Sequence, residues 1–208
     1  MDAIELLKKD HDRVEELFAR FRGGNGLTGL VNRITGNVSS RQRHAAVAAI
    51  CRELTVHTRM EEEIFYPAVR AIGDAKLGSL IGESLREHAK VKEQVATLEK
   101  GGHEGDDLDS RVSTLEQDVQ HHVSEEEGEM FPRVETLMPM EQRTELGRRL
   151  QARKRALTSG AGGKRRAASG KGRRTGSRRR TRRTRKPAVA PRSKRAAARK
   201  RARARSAR

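Results

Sequence analysis

The sequence contains very few aromatic residues: no tryptophan, one tyrosine and four phenylalanines among 208 residues. Any hydrophobic core must therefore be mostly aliphatic. The single cysteine, Cys51, excludes an internal disulfide and predicts a protein of the reducing cytoplasm. The longest uninterrupted apolar run, from Ala45 to Cys51, has seven residues. We expect no membrane span, because crossing a bilayer takes roughly 18 apolar residues.

Acidic side chains are absent from the C-terminal part of the sequence. Residues 151–208 contain 25 of the 46 lysines and arginines and carry a net charge of +25, whereas residues 1–150 carry −7. From residue 159 onward, Val189 is the only valine, isoleucine, leucine or aromatic residue. Burial therefore cannot offset the entropy of ordering that segment. The sequence predicts a folded domain over residues 1–150 and a disordered, Arg/Lys-rich low-complexity tail over residues 151–208.

Apolar residues of the first part recur at alternating steps of three and four, which is typical of amphipathic helices with one buried face. Four such stripes run through residues 4–21, 47–68, 77–98 and 112–137. A short fifth helix is predicted from about Pro139 to Leu157, with proline near its first turn. The pattern indicates an all-α protein, an antiparallel four-helix bundle with this added helix. The segment from Gly23 to Val38 is either a helical turn or a cover over one end of the bundle.

Six positions on the four apolar stripes hold histidine or glutamate. A buried imidazole or carboxylate without a partner costs roughly several kcal/mol, so six of them at one level of a bundle require compensation. Two of the histidines are followed four residues later by a glutamate, which puts both side chains on one helix face. The candidate metal ligands are His11, His57, Glu61, His88, His122 and Glu126.

An internal repeat relates the two halves of the predicted bundle. Residues 10–14 correspond to residues 87–91, and in both segments an acidic residue precedes the histidine. Residues 57–67 correspond to residues 122–132, and in both an aromatic-proline pair begins nine residues after the histidine. A pseudo-twofold axis would place these halves around a shared dinuclear centre.

The donor count suits two metal ions. Two six-coordinate ions have about twelve positions; four imidazoles fill four of these and two bridging carboxylates fill four more. A bridging oxide or hydroxide takes two, which leaves about one open position on each ion for a small ligand. Imidazole and carboxylate donors without thiolate favour iron, and less strongly manganese, over structural zinc.

These motifs resemble the hemerythrin-like, or HHE, cation-binding family of four-helix bundles in its four-histidine, two-glutamate form. The resemblance covers about residues 1–150 and includes both His-x-x-x-Glu units and both aromatic-proline pairs. It implies a non-haem di-iron site in which the four histidines are terminal ligands and Glu61 and Glu126 are bridges.

The sequence departs from the oxygen-carrying members of that family in two places. Carriers have a further histidine four residues after the third-helix histidine, where this chain has Lys92. Their last carboxylate is an aspartate five residues after its histidine; here that position is Glu127, and the repeat favours Glu126. One histidine fewer indicates a more open site that is less suited to reversible oxygen carriage.

Other residues near the motifs have simpler interpretations. A single His-x-x-x-Glu on a helix is usually a solvated pair, so the metal prediction depends on all four stripe histidines together. A packing role is favoured for Tyr66 over a contact between its hydroxyl and the site, and Cys51 is expected to be a small buried hydrophobe. Pro67 and Pro132 are expected to kink their helices just beyond the metal layer. Surface positions are expected for His44, His103 and His121, and a solvated acidic face for Glu62, Glu63, Glu125 and Glu127.

The tail predicts binding to a polyanion. A flexible segment with 25 positive charges and no acid condenses on any polyanion it meets. Nucleic acid is the main candidate; acidic membrane surfaces, polyphosphate and acidic proteins are alternatives. Without aromatic residues to stack on bases, no sequence specificity is expected. The residues expected to contribute most are Arg173, Arg174, Arg178, Arg179, Arg180, Arg182, Arg183, Arg185 and Lys186.

Together these features favour a cytoplasmic di-iron protein that handles dioxygen, peroxide or nitric oxide and is held near nucleic acid by its tail. The alternative is a nucleoid-associated DNA-binding protein whose bundle senses iron or oxygen. Iron storage is less favoured, because two ions per chain are few. The sequence does not separate an enzyme from a sensor.

Overall fold

The structure is a computed structural model that describes residues 1–23, 39–101 and 104–168, with side chains to residue 159. Within these ranges every regular element is helical, which confirms the predicted all-α bundle. Residues Met1–Lys171 form one compact unit. The elements are α1 (Ala3–Phe21), α2 (Ser40–Met60), a π-helical segment (Glu61–Phe65), α3 (Tyr66–Arg70), α4 (Ala75–Lys100), α5 (Gly105–Glu125), a second π-helical segment (Glu126–Met130), α6 (Phe131–Leu137) and α7 (Met140–Ala168).

Side-chain caps define where the first two long helices begin. The Asp2 carboxylate accepts a hydrogen bond from the Ile4 amide at 2.8 Å, and Glu5 accepts one from the Asp2 amide, which completes a capping box. Ser39 and Gln42 form the same arrangement at the start of α2. These caps satisfy amide groups that the first helical turn leaves unpaired.

The apolar core consists of two clusters. One contains residues from the N-terminal part of α1, from α3 and α6, and from α7. The other contains residues from the C-terminal part of α1, from α2 and from the facing parts of α4 and α5. Helices α1, α2 and α4 carry residues of both clusters, and the predicted ligand histidine lies between them; on α5, His122 lies between the second cluster and first-cluster residues of the π-helical segment that follows. The polar layer is therefore enclosed by apolar packing on both sides.

The π-helical segments begin at the two glutamates predicted as ligands. The Tyr66 amide donates to the Glu61 carbonyl and the Phe131 amide donates to the Glu126 carbonyl, so each turn is one residue wider than in an α-helix. The aromatic-proline pair follows each segment directly, and proline supplies no amide to the helical ladder. The π-helical turns therefore lie within the layer, directly before the two prolines whose kinks stay a prediction, and π-bulges often occur at functional sites.

Helix α7 is longer than predicted. It begins at Met140, beside the expected start at Pro139, but continues to Ala168 instead of ending near Leu157. Arg153 of α7 pairs with Glu63, with Nη2 3.0 Å from Oε1. Arg153 and Lys154 therefore contact the bundle although composition assigns them to the tail, and the domain boundary at residue 150 stays a prediction. The predicted nucleic-acid-binding residues 173–186 and the segment 24–38 lie outside the described residues.

In the part of the chain that the structure describes, no helix combines the length and the apolar character needed to cross a membrane.

Candidate metal centre

The structure brings all six predicted residues together in the layer between the two apolar clusters. Each is at most 6% exposed, and Glu61 and Glu126 are fully buried. Helices α1, α2, α4 and α5 contribute one histidine each, and the π-helical segments contribute the two glutamates. Such burial of six polar side chains is costly unless they share a partner.

The imidazoles form two pairs. The ring centroids of His11 and His57 are 4.9 Å apart. Those of His88 and His122 are 4.7 Å apart, and their Nε2 atoms are separated by 3.1 Å. Each pair joins two neighbouring helices of one half of the sequence repeat. The layer therefore has the two-part arrangement expected from the repeat.

Glu61 lies between the two pairs. Its Oε2 is 3.1 Å from Nε2 of His57 and 3.3 Å from Nε2 of His88. The first of these histidines is four residues earlier on the same continuous helix, and the second belongs to α4. A carboxylate in this position can contact cations held by either pair.

Glu126 has the matching position. Its Oε2 is 3.4 Å from Nε2 of His11 and 3.5 Å from Nε2 of His122. Its other oxygen, Oε1, accepts a hydrogen bond from the Tyr66 hydroxyl at 2.9 Å, and that hydroxyl is 3.3 Å from Nε2 of His88. Tyr66 packs in the apolar core, as favoured, and its hydroxyl also lies within the layer, which is the contact that the sequence left open.

Unpaired buried atoms indicate that the layer suits a metal. Among the described residues, no hydrogen-bond partner is found for Nε2 of His11, Nε2 of His57, either carboxylate oxygen of Glu61 or Oε2 of Glu126. Buried polar atoms are rarely left in that state. Two overlapping groups keep their donor atoms within 4.8 Å of one another: His11 with His57, Glu61 and Glu126, and Glu61 with His88 and His122. The donors present therefore fit two cations that share a carboxylate.

Burial sets the electrostatics of the layer. Desolvation, together with the charge of Glu126, raises the pKa of Glu61 well above its usual range. Desolvation opposes ionisation of Glu126 as well, but His122 and His11 hold its pKa below the usual range. Burial lowers the pKa of His57 well below its ordinary value. Bound cations favour ionised carboxylates and neutral imidazoles, so they would offset the electrostatic repulsion between the carboxylates of Glu61 and Glu126.

Two further carboxylates orient imidazoles from outside the layer. Nδ1 of His11 donates to Glu127 Oε1 at 2.7 Å, and Nδ1 of His88 donates to Glu62 Oε1 at 3.0 Å. Lys92, which stands where oxygen carriers have a ligand histidine, donates to the second oxygen of Glu62 at 2.6 Å. The prediction of a solvated acidic face is wrong for both glutamates. The repeat contained the signal, since each follows directly after a candidate bridging glutamate.

A third outer carboxylate, Glu87, accepts a hydrogen bond from Nδ1 of His122 at 2.9 Å. His57 has no such partner: its Nδ1 is buried and unpaired. The counterpart of Glu87 in the repeat is Asp10, which instead accepts a hydrogen bond from Lys154 of α7. The two halves of the layer therefore differ in how their imidazoles are held.

The remaining expectations concern surface and packing residues. His121 has a side chain that is 65% exposed, and His44 is exposed, as predicted. Cys51 is buried, which confirms its assignment as a small core residue. His103 lies outside the described residues.

Two spaces adjoin the layer. A small cavity of about 10 Å³ is lined by all four imidazoles together with Thr58 and neighbouring aliphatic side chains. This volume is about that of one water-sized probe. A larger cleft of about 260 Å³ between α1 and α5 reaches His11 and Glu127.

The fold and the site define a helical protein that binds cations. The sequence model described as the hemerythrin HHE cation binding domain matches residues 2–134, and the chain belongs to this family. The expected resemblance is therefore confirmed.

The curated relatives of the chain share about a quarter of the aligned residues with it. Uncharacterized proteins of Mycobacterium tuberculosis and Mycobacterium bovis are 26% identical over 133 residues, which cover 64% of this chain and 71% of theirs. A DNA nickase of Nostoc is 25% identical over 164 residues, 78% of this chain but 42% of the nickase. No solved structure matches the chain significantly.

Proposed function

We propose that the protein is a non-haem di-iron protein that handles dioxygen, peroxide or nitric oxide. The observation that supports it best is the position of Glu61 and Glu126, each with one oxygen between histidines of different pairs. Carboxylates so placed suit a bridging role, with the four imidazoles as terminal ligands. Iron, when bound, supplies the redox chemistry and the open positions for a small ligand. Manganese is the less favoured metal.

The side chains around the layer prepare it for this role. Each outer carboxylate accepts a hydrogen bond from an imidazole Nδ1–H, which leaves the opposite nitrogen, Nε2, free to bind a cation. Burial, with the charges of Glu126 and Glu61, raises the pKa of Tyr66 well above its ordinary value. The Tyr66 hydroxyl therefore stays protonated and donates a hydrogen bond to Glu126 Oε1. The apolar clusters exclude bulk water from both sides.

Metal content tests the bridging assignment. We expect two irons per chain in the purified protein, and Glu61→Ala or Glu126→Ala should remove both together, because a bridge holds two ions. Glu129→Ala is the matched control, since this exposed residue follows in the same π-helical segment and pairs with Lys76. Elemental analysis and the visible spectrum give the readout. Full occupancy in either single-glutamate variant contradicts the assignment.

Reactivity with oxygen tests the choice of ligand. Because Lys92 replaces a further histidine, we expect water to reach more than one metal position and oxygen to be displaced or consumed rather than carried. Oxygen-equilibrium and peroxide-consumption measurements distinguish the two behaviours. A fully reversible oxygenated form that survives many cycles contradicts this expectation and indicates an oxygen carrier.

The proposal also includes a partner and a place in the cell. The +25 charge of residues 151–208 favours non-specific attachment to nucleic acid, and the similarity to a protein named DNA nickase points to the same partner. We place the protein in the cytoplasm, near the nucleoid. The alternative is a nucleoid-associated DNA-binding protein whose bundle is an iron or oxygen sensor. DNA affinity that changes with metal loading favours the sensor, and repeated peroxide turnover favours the enzyme.

A further inference from the structure

A second cluster of metal-binding side chains lies where α4 meets α5, outside the six residues of the proposed di-iron centre. His121 and Glu125 are one turn apart on α5, and Glu87 belongs to α4. Nε2 of His121 is 3.4 Å from Glu87 Oε1 and 3.4 Å from Glu125 Oε1. One donor atom from each residue lies within 4.8 Å of the other two.

These distances are long for direct hydrogen bonds and leave room for a shared ion. An imidazole N–H and a carboxylate oxygen that are hydrogen-bonded are usually about 2.7–3.2 Å apart. Two donors at about 2.1 Å from one tetrahedral zinc ion are about 3.4 Å apart. The cluster is also open to solvent, because the side chain of His121 is 65% exposed and that of Glu125 is 29% exposed.

Within residues 1–23, 39–101 and 104–159, no lysine or arginine forms an ion pair with the two carboxylates of the cluster. In the described part of the chain, the ion pairs of Glu87 and Glu125 are with histidines alone. Nearby, Asp118 pairs with Lys90 of α4 in the ordinary way. A divalent cation would neutralise both glutamates, and three protein ligands leave a fourth position for water.

We propose that Glu87, His121 and Glu125 form an additional, solvent-accessible site for a divalent cation such as zinc. The site adjoins the buried layer, because Glu87 Oε2 accepts a hydrogen bond from Nδ1 of His122 at 2.9 Å. A cation on Oε1 draws negative charge away from that hydrogen bond, which makes His122 a weaker metal donor. The surface ion therefore modulates the buried centre, an effect that rests on the proposed di-iron function, whereas zinc binding at the surface does not.

Zinc titration of the full chain tests the site. Calorimetry is performed on protein whose iron content has been measured, and we expect one zinc ion to bind through this cluster. His121→Ala and Glu125→Gln should each weaken zinc binding by about tenfold or more. His44→Ala is the matched control, because His44 is an exposed helical histidine whose Nδ1 contacts Ser40 rather than carboxylates.

The outcomes separate the two proposals. Zinc affinity that is equal in the wild type and His121→Ala overturns the surface site, as does zinc that binds only by displacing iron. Chains that contain no iron overturn the di-iron proposal, while the His121→Ala comparison still decides the surface site. Zinc should also shift the visible spectrum of the iron-loaded wild type but not of His121→Ala. Absence of that shift overturns the modulation through His122.

Discussion

His57 is the imidazole of the layer that no carboxylate orients. A carboxylate on the outer nitrogen fixes an imidazole ring and strengthens it as a metal donor. Both histidines of the His88–His122 pair have such a partner, whereas in the other pair only His11 has one. The two metal positions of the proposed centre are therefore inequivalent.

Stepwise removal of metal measures this inequivalence. We expect a chelator to withdraw iron in two phases, with the ion at His11 and His57 released first. Glu62→Gln should weaken the better-held position by about 10–100-fold and bring the phases together. Glu129→Gln, an exposed change, should leave both phases as they are. Iron release is followed by absorbance, and a single phase in the wild type contradicts the expectation.

The residues of the layer were predictable to different degrees. Polar side chains on an apolar helical stripe have no ordinary explanation, so the sequence singled out the four histidines and two glutamates that the structure brings together. Tyr66 and Glu62 do have ordinary explanations, as a core aromatic and a solvated acid. Their roles depend on side chains from other helices, which spacing along one helix does not reveal.

Among the helices, α7 departs most from expectation. Its composition after residue 150 is polar and gives no sign of contacts with the bundle. In the structure, Arg153 pairs with an acidic residue of the first π-helical segment and Lys154 with one of α1. Those partners are distant in sequence, so no local pattern predicts them. The long amphipathic helices, by contrast, were predictable because their packing repeats every three or four residues. Composition therefore predicts disorder correctly only for a segment whose charged side chains have no such partners elsewhere in the fold.

The close approach of α7 to the N-terminus depends on Gly147. A Cβ atom at this position would lie 2.6 Å from the Met1 carbonyl oxygen and 2.9 Å from the Ala3 amide nitrogen. We expect Gly147→Ala to lower the free energy of unfolding by about 1–3 kcal/mol, because backbone must move to relieve the overlap.

Gly78→Ala in α4 is the matched control for this change. Nothing lies within 4 Å of a Cβ at Gly78, so the better helix propensity of alanine should raise stability by about 0.5–1 kcal/mol. Urea denaturation of both variants gives the comparison. Equal stability of Gly147→Ala and the wild type shows that α7 does not pack there as described.

The whole molecule is strongly divided in charge. Residues 1–150 carry −7 and residues 151–208 carry +25. Phosphate should repel the first part and attract the second, whose arginines can hold phosphate oxygens with two hydrogen bonds each. The nucleic-acid affinity therefore depends on the tail and on salt.

Fluorescence anisotropy on two unrelated duplexes tests this dependence. If about ten phosphate contacts form, log affinity should fall with log salt with a slope of about −9. Both duplexes should bind alike. A chain truncated after Ala168 should bind far more weakly than the full chain. Equal binding by the truncated chain, or affinity that salt does not change, contradicts nucleic-acid binding by the tail and indicates that it is a solvated extension.

The spread of the donor layer along the chain bears on how the protein matures. Its side chains come from positions between His11 and Glu126, so a nascent chain on the ribosome cannot present a complete set until most of the bundle has been synthesised. Domains fold as units during synthesis at about 5–20 residues per second. Metal binding therefore occurs late in biogenesis. Newly made protein is first a metal-free chain.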